Sequence, residues 1–248
     1  MLRLFAAACI GTLLATGIGA AGPVDYGPAD ELTDFNAAIE TAASHNRVAL
    51  GYLRTENVDL ASLELERMHT AWIEVMRLYG QNPPAAFRTN PRYAATLHEV
   101  RFYVTTAIAM LSSGQFGAAR EALETNRRLL HELRQASGIE VLADCVMETN
   151  AAMARFFVFD AVTPDLAKPE VAANVANKAA ELAATAKRCD GIAPPEVRAN
   201  PEFRRLLDGI AASLAYVPTA VNTRDVDMLH RVIGELRAFD QLLTFRYG

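Results

Sequence analysis

Cysteine is scarce in this chain: three residues in 248, at positions 9, 145 and 189. So few exclude a disulfide-dense scaffold, and without a Cys-x-x-Cys pair they exclude a zinc ribbon or a dithiol redox motif. Lysine is nearly missing too. Lys168, Lys178 and Lys187 stand against 21 arginines, a bias of base composition rather than the mark of an anion-binding surface. Positive charge is not in excess: the formal net charge is −5, which argues against a general nucleic-acid partner. Past residue 21, no apolar run approaches the roughly 20 residues of a spanning helix. Strand-like alternation is absent. So are Gly-x-Gly-x-x-Gly, the phosphate loop and the Gly-x-Ser-x-Gly elbow, which removes the commonest nucleotide and hydrolase signatures.

What is present is a second copy. A shift of 110 residues brings Pro84, Arg88, Asn90, Pro91, Tyr93, Leu97 and Val100 onto Pro194, Arg198, Asn200, Pro201, Phe203, Leu207 and Ile210. Leu123, Arg127 and Leu129 fall on Ile233, Arg237 and Phe239. A fixed period this long predicts two copies of one structural unit. Alanine, leucine, glutamate and arginine dominate the periodic segments, which read as helices over 31–53, 58–79, 91–112 and 115–136, then 139–161, 168–189, 201–222 and 224–246. In the second, Leu60, Leu63, Met68, Ala71, Trp72, Val75 and Tyr79 form one stripe, and Gly80 follows as its stop. Asn90 and Asn200 are expected to cap the third helix of each unit, with Pro91 and Pro201 at the first helical position. Pro218 should kink or open the helix it falls in; the first unit has Ile108 there.

The expected fold is therefore all-α. Short connections favour two tandem four-helix up-and-down bundles, over 31–136 and 139–248. A tetratricopeptide-like hairpin stack is the alternative, on Ala49, Tyr52, Ala61 and Leu65, although its 34-residue period does not fit.

Residues 1–21 read as a secretory signal peptide: Arg3, an apolar run of about 15 residues from Leu4 to Ile18, then Gly19, Ala20 and Ala21 before the cut. Cys9 lies too early in that run for lipid attachment. Residues 22–30 are an extended lead-in. The expected location is periplasmic or secreted, with no transmembrane segment after cleavage. Export leaves Cys145 and Cys189 where disulfides persist. Both fall at one end of a predicted antiparallel hairpin, so they are expected to bond.

Catalytic and metal chemistry is thin. None of His45, His69, His98, His131 and His230 pairs with a His or Cys at ligand spacing. Glu66 and His69 share a face, but two ligands rarely suffice. Asp225 and Asp227 read as charges at a helix start. The Phe156-Phe157-Val158-Phe159 run reads as core. No catalytic residue, metal site or cofactor is expected.

The last predicted helices carry Asn126-Arg-Arg-Leu-Leu-His131 and Arg237-Ala-Phe-Asp-Gln-Leu242. An exported four-helix unit of this size, with a long second loop and a final helix ending near arginine, is similar to the cytochrome c′ group. That resemblance implies a bundle in each repeat. The family attaches haem through Cys-x-x-Cys-His in its last helix. Neither segment here has a cysteine, and only the first has a histidine, so no haem-binding residue carries over. The expected function is non-enzymatic: binding or scaffolding a protein partner in the periplasm or envelope, with a homodimer possible. The alternative is a carrier holding a small hydrophobic molecule or noncovalent haem in a pocket inside one bundle.

Overall fold

The computed structural model of the protein describes residues 28–248, with side chains from residue 31. The signal peptide expected over 1–21 lies outside the described residues. The described chain is helical, without a strand. Helices α1 (Pro28–Arg54) and α2 (Val58–Tyr79) are followed by a 3-10 turn, Ala85–Phe87, and by α3 (Tyr93–Ser112) and α4 (Phe116–Ala136). Then come α5 (Leu142–Ala161), α6 (Pro169–Ile192), the one-turn α7 (Pro195–Arg198), α8 (Pro201–Leu214), α9 (Val217–Thr223) and α10 (Val226–Tyr247). None of the described helices is long and apolar enough to cross a membrane.

Several boundaries depart from the sequence reading. The lead-in expected to be extended through residue 30 is helical from Pro28, because a proline in the first turn has no N–H to waste. Helix α2 stops at Gly80 as expected, but Gly80 stays right-handed, at φ −59°. The glycine is needed for space: a Cβ there would sit 2.4 Å from the Met76 carbonyl oxygen. Asn200 accepts from the Glu202 N–H at 2.8 Å and opens α8 directly, with Pro201 following. Asn90 makes the same contact to the Arg92 N–H at 2.9 Å, yet α3 begins only at Tyr93. There the Tyr93 N–H turns back to the Asn90 carbonyl, a tighter turn than the Arg204-to-Asn200 bond opposite it. The Asn90 amide is drawn to Ser137 Oγ (2.8 Å), which ties this corner to the end of α4. Asn90 and Pro91 thus form a corner before the helix rather than its cap.

The seventh predicted helix is two. Pro218 cannot donate to the Leu214 carbonyl, so α8 ends there, and α9 restarts with the Ala220 N–H on Tyr216. With Ile108 at the matching place, α3 runs unbroken.

Two apolar clusters form, one from residues of the first four helices and one from residues of the last six. In the first, α1 packs on α2, α2 on α3, α3 on α4, and α4 touches α1. Phe35, Phe87 and Tyr93 stack at one end, with Phe35 5.1 Å from Phe87. The Tyr93 hydroxyl donates to the Tyr79 carbonyl at 3.0 Å, and burial holds its ionisation well above the ordinary tyrosine range. In the second, α5 packs on α6 and α10, and α8 bridges α6 and α10. Phe156 and Phe159 point into this core, whereas Val158 of the same run is half exposed.

The halves meet along α1, α4, α5 and α10. Gly51 of α1 presents no side chain, and the Phe245 ring of α10 fills the space where a Cβ would lie, 2.7 Å away. Arg134 of α4 grips Asp144 of α5 along one guanidinium edge, Nε to Oδ2 at 2.8 Å and Nη2 to Oδ1 at 2.6 Å. His131 Nδ1 lies 3.1 Å from the same carboxylate, and the Val141 N–H donates to it. Arg47 donates to the buried Gly248 carbonyl at 3.1 Å and to Glu40.

Candidate functional site

Cys145 and Cys189 stand at disulfide distance, with Cα atoms 5.4 Å apart, joining the start of α5 to the end of α6. Both are fully buried, beside Thr149, whose hydroxyl contacts Cys189 Sγ and donates to the Cys145 carbonyl. The pair is a structural cross-link site. Asn90, Pro91, Asn200 and Pro201 shape corners. Asp225 caps α10, accepting from the Met228 N–H at 2.8 Å. Among the described residues, no group of three His, Cys, Asp or Glu side chains could hold a metal ion.

The site that the sequence reading missed lies between the two halves. A cavity of about 520 Å³ opens where α1, α2 and α4 face the start of α5, the end of α6 and residues 247–248. Its size falls in the ordinary range for small-molecule sites. Its inner wall is built from Met68 and Trp72 of α2, with Ile39 and Leu130 beside them, all nearly fully buried. Leu142, Met147, Ile192 and Val197 form the half-buried outer wall from the second half. The indole of Trp72 is anchored by its own N–H on the Leu97 carbonyl at 3.2 Å, so the ring is held against the cavity rather than left to rotate.

Two asparagines interrupt this apolar lining. Asn46 sits in the buried stripe of α1, one turn from Ala42 and Ala49–Leu50; Asn126 sits in that of α4, between Leu123 and Leu129–Leu130. They are 2% and 1% exposed, and among the described residues neither the oxygen nor the nitrogen of either amide has a hydrogen-bond partner. Unpartnered buried amides are rare, because each group costs roughly 1–3 kcal/mol when it loses water and gains nothing. Beside them, Arg127 is oriented through Nη1 by Glu124 at 2.9 Å, while its Nε and Nη2 are buried and unpartnered. Asp240 of α10 lies near enough to feel both Arg127 and Arg54. Burial pushes its carboxyl upward, against the Asn150 hydrogen bond and the two arginines.

The second half fills the corresponding places. One repeat period on from Asn46 and Asn126 stand Phe156 and Leu236, both fully buried in the second core. The arginine matching Arg127 is Arg237, which is occupied: it bonds Asp160 and lies over the Phe157 ring. The polar interruption belongs to the first half alone. No protein-family model matches the chain, and neither do curated proteins or solved structures. The reading of the site therefore rests on its own chemistry.

Two of the acids that line the cavity are held in ion pairs, Glu40 with Arg47 and Glu140 with Arg188. Chemically, the arrangement offers an apolar chamber with two amides, each able to donate and accept, and one guanidinium edge. The signal for it was in the sequence: an asparagine at a stripe position of a helix, opposed by an apolar residue in the other copy. A periodicity reading that groups residues as apolar or polar passes over single exceptions, so both were absorbed into the surrounding stripe.

Proposed function

We propose that the chain is an exported, non-enzymatic binding protein, two tandem four-helix bundles that hold one small amphipathic molecule in the cavity between them. The observation that carries this reading is the pair of buried, unpartnered asparagine amides in the wall of an otherwise apolar chamber. A core filled only for stability would place Phe or Leu there, as the second half does with Phe156 and Leu236. A ligand with an apolar body and a hydrogen-bonding group satisfies both parts of the wall. The pocket thus lies between the bundles, not inside one of them. Export rests on the residues of 1–21 and on the cysteine pair.

The scaffold reading has less support. The most exposed apolar side chains, Phe102, Val162 and Tyr216, stand on separate elements; Leu60, Leu63, Ile73 and Leu78 are exposed along α2, and none of these seven lines the cavity.

The chain has a single tryptophan, and it lines the chamber. Titration of the ligand-free protein with a panel of neutral and charged amphiphiles, read by Trp72 emission, tests the proposal. A saturable change at one molecule per chain is expected. A panel that leaves the emission unmoved, or shifts it linearly without saturation, counts against it.

A further inference from the structure

The geometry points to a carboxylate as the polar group of the ligand, docked on the Nε/Nη2 edge of Arg127; this rests on the reading of the chamber as a ligand site. The template is in the same helix. Two turns further along α4, Arg134 uses its own Nε/Nη2 edge to hold the Asp144 carboxylate with two parallel bonds of 2.8 and 2.6 Å. Arg127 also lines the cavity, and among the described residues its own Nε and Nη2 are buried without a hydrogen-bond partner, with Gly248 packed against Nη2. A guanidinium edge matches a planar carboxylate in spacing and in charge, and the pair of bonds fixes orientation as well as strength. The plane of Arg127 is already set, because its third nitrogen is held by Glu124.

Charge around the edge is consistent with one added anion. Of the acids lining the cavity, Glu40 is bonded to Arg47, and Glu140 lies 3.4 Å from Arg188. Glu196 stands exposed at the outer wall. Asp240 is the nearby acid of α10, with its carboxyl pushed upward by burial, and Glu124 holds Arg127 through Nη1 alone, away from the Nε/Nη2 edge. The unpartnered amides of Asn46 and Asn126 supply further donors for oxygen and acceptors for a hydroxyl or amide on the ligand. The apolar walls take the rest. The ligand class is a monocarboxylic acid with an apolar body, rather than a phosphate ester, whose second charge and tetrahedral oxygens the single edge would leave unmet.

The experiment is isothermal titration of the full chain with medium-chain saturated carboxylic acids and their matched primary alcohols, near neutral pH. The acid should bind on the order of ten- to a hundredfold more tightly than the alcohol, the worth of a charge-assisted bidentate contact. Arg127→Gln should abolish the acid's advantage, and Arg127→Lys should restore only part of it, since it returns the charge without the fork. If a variant fails to fold, the acid-to-alcohol ratio of the natural protein and its decline with added salt decide the matter. Equal affinity for acid and alcohol, blocked by Asn126→Leu, overturns the carboxylate assignment and leaves the chamber reading in place. So does an acid preference that Arg127→Gln leaves untouched. Binding of neither molecule, or binding indifferent to Asn126→Leu, overturns both readings.

Discussion

Asn126→Leu should make the ligand-free protein more stable while removing its ability to bind. The side chain is 1% exposed, its two amide atoms are unpartnered, and its neighbours on α4 are Leu123, Leu129 and Leu130. Leucine has the same branching as asparagine and buries no polar atom. Replacement removes a desolvation cost of roughly 1–3 kcal/mol and adds apolar burial, less a small overpacking term. A net gain of about 2 kcal/mol is expected, which for a chain of this length raises Tm by about 4–8 °C. Urea unfolding followed by circular dichroism, on protein stripped of small molecules by refolding, gives the free energy directly. The reciprocal change in the second half, Leu236→Asn, should cost about 3–5 kcal/mol, since it places an unmet amide in a filled core. A loss of more than about 1 kcal/mol in Asn126→Leu would refute the reasoning. It would mean that the folded protein satisfies the amide with buried water belonging to the structure.

The other predictions concern the frame. Cys145→Ser should lower the unfolding free energy in oxidising buffer by up to ~4 kcal/mol, the chain-entropy value for the 44-residue separation, and change little under reductant. Asp144→Ala leaves Arg134 buried and unpaired between the halves, and should cost about 3–5 kcal/mol by denaturant titration. Asp240 has a folded-state pKa raised by burial, so the folded state holds its proton more tightly than the unfolded one. Its contribution is therefore lost as pH rises through the raised value. Asp240→Asn should stabilise the protein near neutral pH, and that gain should shrink as pH falls below the ordinary aspartate range.

The helices were legible because their stripes are long and their breakers few. The periodicity of α2 specified a helix and, at Met68, Trp72 and Val75, its inward face; Leu60 and Leu63 of the expected stripe are instead exposed, and Glu64 is buried, held by His45 and Arg67. Pro218 announced a break, and the 110-residue spacing of Asn90 and Asn200 announced matching corners. The start of α3 was not legible, because its delay to Tyr93 comes from Asn90 reaching Ser137 across the fold. The cavity was not legible either. It forms where two halves fail to close on each other, and no local pattern encodes that gap. Its residues come from α1, α2 and α4 on one side and α5, α6 and α10 on the other, far apart in sequence. Only the asparagines carried a trace of it, visible by setting Asn46 against Phe156 and Asn126 against Leu236.

The central claim is that the chamber between the halves binds a small molecule. The most direct measurement is Trp72 emission in the natural protein and in a variant carrying Asn46→Phe with Asn126→Leu, each titrated with a brominated medium-chain acid. The natural protein should show saturable quenching at one equivalent, and the filled variant only weak collisional quenching that rises linearly. Identical saturable curves, or linear quenching in both, would contradict the account.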